Sequence, residues 1–257
     1  MMNENIKRSY GPVRIAMWSG PRNISTAMMR SWGARADCAA SDEPLYAHYL
    51  TQMDDAKRRL HPVHEAVMDS QPVHWHEVAD YLTGPIPGGK DIWYQKHMAH
   101  HLTPGMEWDW MSELTNCFLI REPAAMITSF IKIIDNPTPT DLGLPQLVEL
   151  FEWVREQTGS APAVIDSKDV LMNPRGVLSA LCHHIGIEFN DSMLSWEEGP
   201  KPEDGVWAPH WYSSVYESSG FAAYTAKNDE VPGRLLGVLD ECNALYDVLA
   251  VHRIGAD

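Results

Sequence analysis

Apolar residues in this chain gather into short blocks, separated by polar and amphipathic stretches of helical length. VRIAMWS at 13–19 is a short apolar run suited to a buried parallel strand. CAASDEPLYAHYL, from 38, reads as a second strand ending near Asp42 and Glu43, with Pro44 opening a helix. DIWYQKHM (91–98), NCFLI (116–120) and APAVIDS (161–167) complete the strand set. Between them, Ile24, Met28 and Met29 give helical spacing to Ser25–Trp32, and 55–83 reads as helix interrupted by Pro62 and Pro72. TGPIPGGKD is a loop by its Gly and Pro content. Further helices are expected after Pro123, over 144–158, from Pro174 to about Gly186, and from about Pro232 to Ala250. Strands alternating with helices predict a three-layer α/β/α fold around a central parallel sheet. Such sheets bind ligands at the carboxyl ends of their strands, which gathers residues 19–26, 42–43, 96–97 and 121–122 around one crevice.

Length and charge narrow the function. The 257 residues form a single expected domain, 1–257, with no linker, repeat or low-complexity run dividing it. Residues 1–12 are polar and expected to be flexible, and 195–231 form an irregular segment rich in Trp, Pro and Gly. A formal net charge of −15 argues against nucleic acid and membrane surfaces as partners. Any bound anion must be captured locally, by a few arginines and backbone amides. Cys38, Cys117, Cys182 and Cys242 are far apart in sequence, and Cys117 and Cys182 sit in apolar runs that suit buried thiols. With no apolar leader and no stretch of transmembrane length, a cytoplasmic protein is expected; a homodimer is allowed. Twelve histidines invite a metal, but His97, His100 and His101 have no carboxylate partner at metal-site spacing, so none is expected. His183 and His184 fall on a helix rich in Leu and Ala and are expected to pack in the core or at its boundary.

The first strand runs into SGPRNISTAMM. A strand-to-helix turn offers backbone N–H groups and the positive end of the helix dipole to an anion. Arg22 adds a forked, permanently charged donor; Asn23, Ser25 and Thr26 add further polar contacts. A plain Ser-capped helix beside an exposed arginine is the bland alternative. LIREPAAMITSF supplies a second element: Arg121 leaves a buried strand, and Ser129 lies eight residues on, just over two helical turns away. A salt bridge from Arg121 to Glu122 or Asp42 is the alternative there.

PRNISTA, then FLIREPAAMITSF, then DSKDVLMNPRGVLSALCHHIGIEF together resemble the sulfotransferases that use 3′-phosphoadenosine 5′-phosphosulfate, in order and spacing over roughly residues 13–190. The resemblance implies a fold like that of P-loop nucleoside triphosphatases, and 3′-phosphoadenosine 5′-phosphosulfate as co-substrate. It assigns Arg22, Ser25 and Thr26 to the 5′-phosphosulfate, and Arg121 and Ser129 to the 3′-phosphate. Ile24 stands where the family usually has glycine, and SSGFAAYTAK (218–227) is a faint echo of the family's C-terminal cofactor motif.

For the base, His97 resembles the Lys-x-His stretch of cytosolic sulfotransferases, with the register off by one. Glu43 resembles the glutamate of the EP stretch in carbohydrate sulfotransferases. Histidine titrates near neutrality unaided, whereas a glutamate needs burial, so His97 is preferred and Glu43 follows. Trp207 and His210, in the aromatic-rich segment, are expected to line a site for a small-molecule or carbohydrate acceptor. Two other readings stand beside this one. A P-loop kinase would need a lysine where Ile24 stands, and a non-catalytic descendant would bind an anion or a protein partner.

Overall fold

A computed structural model describes residues 11–226 and 229–255; the N-terminal stretch expected to be flexible lies outside them except for Gly11 and Pro12. Five parallel strands, β1 (Val13–Ser19), β2 (Cys38–Asp42), β3 (Ile92–Met98), β4 (Thr115–Ile120) and β5 (Ala163–Asp166), lie in the order β2-β3-β1-β4-β5. β1 is central and its residues from Ile15 to Ser19 are fully buried, the cost-free solution for an apolar run covered on both faces.

Alternation along the strands sorts side chains into two cores. On one face Ile15, Met17, Tyr94, Leu119 and Ile165 pack with Met28, Met29 and Trp32 of the helix Ser25–Gly33, and with Val177, Leu178 and Leu181 of Pro174–His184. On the other, Ala16, Trp18, Trp93, Phe118 and Val164 meet Met126 and Ile127 of Pro123–Phe130, Leu150 and Phe151 of Leu144–Thr158, and Leu249 of Leu236–Ala250. All four cysteines are buried free thiols. No helix among the described residues is long and apolar enough to cross a membrane.

Departures from the sequence reading have local causes. Residues 55–83 form three helices, Asp55–Arg58, His64–Ser70 and Trp75–Thr83, with Pro62 and Pro72 in the gaps. β5 stops at Asp166 because that carboxylate accepts the N–H of Lys168 at 2.7 Å and caps an unforeseen helix, Ser167–Met172. His183 and His184 are exposed rather than core: they fall on the last turn of Pro174–His184, on the side that faces away from the sheet. The segment 195–231 contains two one-turn helices, Ala208–Trp211 and Ser213–Tyr216. Arg30 pins it through Asp204 at 2.7 Å, and Gly205 donates its N–H to Asp42 at 3.1 Å.

Candidate functional site

Two charge centres stand at the carboxyl edge of the sheet. The first is the turn from β1 into Ser25–Gly33. Gly20 is fixed by space: a Cβ there would lie 2.4 Å from the carbonyl oxygen of Leu142. Arg22 and Ile24 both adopt positive φ, 65° and 57°, so Ile24 takes up the left-handed geometry that glycine would adopt freely. For a β-branched residue that conformation costs about 1–3 kcal/mol, so the surrounding contacts must hold it. They are visible. Asn23 is fully buried and donates to the Leu119 carbonyl at 3.2 Å, while the Ser167 hydroxyl reaches the carbonyls of Asn23 (3.1 Å) and Ile120 (2.9 Å).

This frame brings two arginines together. Arg22 is exposed and donates through Nε to Ser129 Oγ at 3.0 Å, and Arg121 donates through Nη1 to the carbonyl of Arg22. Burial, and then the charge of Arg22, lower the pKa of Arg121. Neither arginine has a carboxylate within salt-bridge distance among the described residues, so the alternative of an Arg121 bridge to Glu122 or Asp42 does not form. Ile24 supplies no side-chain cap, which leaves first-turn N–H groups of Ser25–Gly33 without a side-chain acceptor. Ser25 is buried and Thr26 half-buried at this helix start. The arrangement suits a multiply charged oxyanion.

The second centre lies where β2 and β3 end, and here Asp42 pairs in register with Lys96. Lys96 is 1 % exposed, and its Nζ contacts Asp42 Oδ1 at 2.8 Å, Glu43 Oε1 at 2.6 Å and the Tyr212 hydroxyl at 2.6 Å. Tyr212 in turn donates to Asp42, 2.8 Å from Oδ2. Burial alone would lower the Lys96 pKa, but Asp42 and Glu43 hold it well above the usual lysine value. Burial raises the pKa of Glu43; Lys96 opposes this and Asp42 adds to it. Glu43 has φ 42° and a side chain that keeps some exposure, and its Oε2 faces His101 Nε2 at 3.9 Å.

The expected site residues separate on this geometry. Arg22, Arg121 and Ser129 come together, with Ser25 and Thr26 beside them on the same turn. Asn23 instead faces inward, as a brace for the turn. His97 is a correction: it is 1 % exposed, stacks on Trp18 at 4.2 Å, and burial lowers its pKa to about 3. Adjacent strand residues point to opposite faces, so a β3 that presents Lys96 to Glu43 turns His97 into the other core. Trp207 is a second correction. It is 1 % exposed, lies edge-on to Tyr46 and donates to the Tyr212 hydroxyl at 3.3 Å, filling the space beneath the irregular segment. His210, three residues further on, is exposed. Sequence reasoning missed Tyr212 and Ser167, and gave Lys96 no role. The pairing of Lys96 with Asp42 had one available signal, a lone lysine near the end of a strand otherwise built for burial. Among the described residues no three His, Cys, Asp or Glu side chains are grouped to hold a metal ion.

Comparisons with known proteins bear on the same edge. Residues 13–237 match the model of the sulfotransferase domain. Two Arabidopsis thaliana proteins called branched-chain-amino-acid aminotransferase-like protein 2 and 1 are 35 % and 36 % identical over 93 % and 94 % of this chain. The chain spans only 41 % and 42 % of their lengths, so those names describe much longer proteins. Among solved structures, a sulfotransferase domain from the curacin biosynthetic pathway aligns over 91 % of this chain and 99 % of its own, with 13 % identity and a TM-score of 0.50, a likeness of fold. The matched span starts at the first residue of β1 and takes in the arginine turn, the Glu43–Lys96 centre and the irregular segment, and on it the chain belongs to the sulfotransferase family.

Proposed function

We propose that this chain transfers a sulfuryl group from 3′-phosphoadenosine 5′-phosphosulfate to a hydroxyl or amine of a small-molecule or carbohydrate acceptor. One observation carries the proposal: two arginines are held together with no carboxylate in salt-bridge contact among the described residues, at the start of a helix without a side-chain cap. Like charges are kept together at a cost unless an anion joins them, and a nucleotide with phosphates at both its 3′ and 5′ positions is such an anion. Arg22, Ser25 and Thr26 would hold the 5′-phosphosulfate, and Arg121 and Ser129 the 3′-phosphate.

When bound, the co-substrate supplies the sulfuryl group and a phosphate leaving group. The protein's share is placement, charge and a proton acceptor. Glu43 takes the acceptor's proton as the acceptor oxygen or nitrogen bonds to sulfur and the bond from sulfur to the 5′-phosphate oxygen breaks. Arg22 offsets the charge left on that phosphate. Glu43 replaces His97 as the preferred base, because it combines a raised pKa with a partly exposed side chain, whereas His97 is sealed in the core. Four free thiols suit a reducing compartment, and a cytoplasmic site of action is part of the proposal.

Thermal shift tests it. Adenosine 3′,5′-bisphosphate should raise the melting temperature, and Arg121→Ala should weaken binding about 10- to 100-fold, the worth of one charge-assisted contact. Stabilisation by ATP with magnesium but not by the bisphosphate would turn the reading toward a kinase; stabilisation by neither would make the chain non-catalytic.

A further inference from the structure

Lys96 carries three N–H donors, and all three are spent: on Asp42 Oδ1, on Glu43 Oε1 and on the Tyr212 hydroxyl. A lysine so saturated has nothing left to offer a sulfuryl oxygen. It can fix its neighbours. The Tyr212 hydroxyl accepts from Lys96 and gives its one proton to Asp42, and Gly205 donates its N–H to Asp42 Oδ2 at 3.1 Å. Asp42 is thereby held as the standing counter-ion of Lys96, and one edge of Glu43 is held by the same ammonium. The other edge, Oε2, is left toward His101.

Resting on the reading of Glu43 as base, we propose that Asp42, Lys96 and Tyr212 are positioning residues that hold Oε1 of Glu43 and divide the lysine's charge between two carboxylates, so that Oε2 is presented as the proton-accepting atom. Three elements far apart in the chain build the device: the end of β2, the end of β3 and the irregular segment. The groups that face Glu43 are few. They are Asp42 from β2, Lys96 from β3, His101 from the turn after it, Tyr46 from the helix Tyr46–Thr51, and Tyr212. His101 is held neutral by its burial and by neighbouring histidines and Lys96, so it leaves Lys96 as the cation in contact with Glu43. Gln71 braces the backbone, donating to the Glu43 carbonyl at 3.1 Å.

The division of charge sets the sign of the test. With Asp42 neutralised, Lys96 serves Glu43 alone, and the Glu43 carboxyl should lose its proton more easily. The full chain, labelled with carbon-13 glutamate, is titrated by difference infrared spectroscopy as the unaltered protein, Glu43→Gln, Asp42→Asn and Tyr212→Phe. The unaltered protein should show one glutamate carboxyl titrating above the ordinary value of about 4.3, absent in Glu43→Gln. In Asp42→Asn that proton affinity should fall about tenfold or more, and in Tyr212→Phe by a smaller factor in the same direction. An unchanged or raised titration in both variants would overturn the proposal, as would an unaltered protein with no such carboxyl. Should Asp42→Asn fail to fold, Tyr212→Phe carries the decision alone. Binding of adenosine 3′,5′-bisphosphate to the unaltered chain reads the function separately. A protein that binds it with an unmoved titration keeps the function and loses the device; one that does not bind it but titrates as expected keeps the device and loses the function.

Discussion

The two charge centres at the carboxyl edge of this sheet are built on opposite plans. At the turn after β1 the charge lies at the surface and forms no salt bridge: exposed Arg22 bonds Ser129, half-buried Arg121 bonds the Arg22 carbonyl, and no carboxylate lies within salt-bridge distance of either among the described residues. At the ends of β2 and β3 the charge is buried and shared, one ammonium among two carboxylates and a phenol. A surface centre without a salt bridge is open to a charge from outside. A shared buried centre resists change and fixes its own members, because desolvated charges cannot separate without large cost. One end of the edge leaves its cations without a salt bridge, and the other closes its charges on one another.

The largest expected effect breaks the buried centre. Lys96→Met removes the cation and strands two carboxylates, which should lower stability by about 3–5 kcal/mol in urea unfolding at pH 7. The deficit should shrink toward pH 5 as a carboxylate takes up a proton. An equal deficit at both pH values would mean that the pair is lost through packing alone.

A second test uses pH to separate closed from open structure. His97 has a folded pKa of about 3, against about 6.5 when unfolded. Below the unfolded value the unfolded chain binds a proton that the native chain refuses, so stability falls as pH drops from about 6.5 toward 3. The slope from this one residue is about 1.4 kcal/mol per pH unit. His97→Gln should flatten the curve in that window, measured by chemical unfolding at pH 7, 6 and 5. Glu43 acts in the opposite sense. Its raised pKa adds stability at acid pH that is lost as pH rises from the ordinary glutamate value through the folded one. A curve that His97→Gln leaves unchanged would show that His97 is reached by solvent after all.

The smallest effect concerns the open centre's frame. Ile24→Ala and Ile24→Gly delete nearly the same side chain, but only glycine accepts φ 57° freely. Glycine should therefore be the more stable of the two by about 1 kcal/mol, against its usual disadvantage to alanine in a chain. The reverse order would mean that the turn relaxes out of the left-handed region once the isoleucine is gone.

Much of this architecture was legible beforehand. β1 falls at 13–19 and the helix Leu144–Thr158 at its expected bounds, because an apolar block and an amphipathic repeat each bury themselves in one way only. The helix after Arg121 that carries Ser129 was readable too, since Pro123 marks its first turn, though Ser129 meets Arg22 rather than Arg121. Which of His97 and Glu43 keeps access to solvent was not. His97 looked the better candidate on intrinsic pKa, and its burial is invisible locally: the period of two separates Lys96 from His97 without saying which face holds the crevice. Asn23 read as a contact for the bound anion and Ser167 as the end of a strand, and both instead brace the turn through backbone carbonyls, Leu119 for Asn23, and Asn23 and Ile120 for Ser167.

From the sequence alone came the alternation of strands and helices, the parallel sheet they require, and an arginine-bearing turn after the first strand. Those properties follow from short-range rules: burial of apolar blocks, the helical period, and donors at a helix start. Tertiary structure decided which charges meet. Asp42 and Lys96 are 54 positions apart and Asp42 and Tyr212 170 apart, and Arg22 and Ser129 are 107 apart. Strand register and the path of an irregular segment set those encounters. Because the pKa of a buried group depends on the charges within a few ångströms of it, the chemistry of Glu43 became readable only once the sheet had brought its neighbours to it.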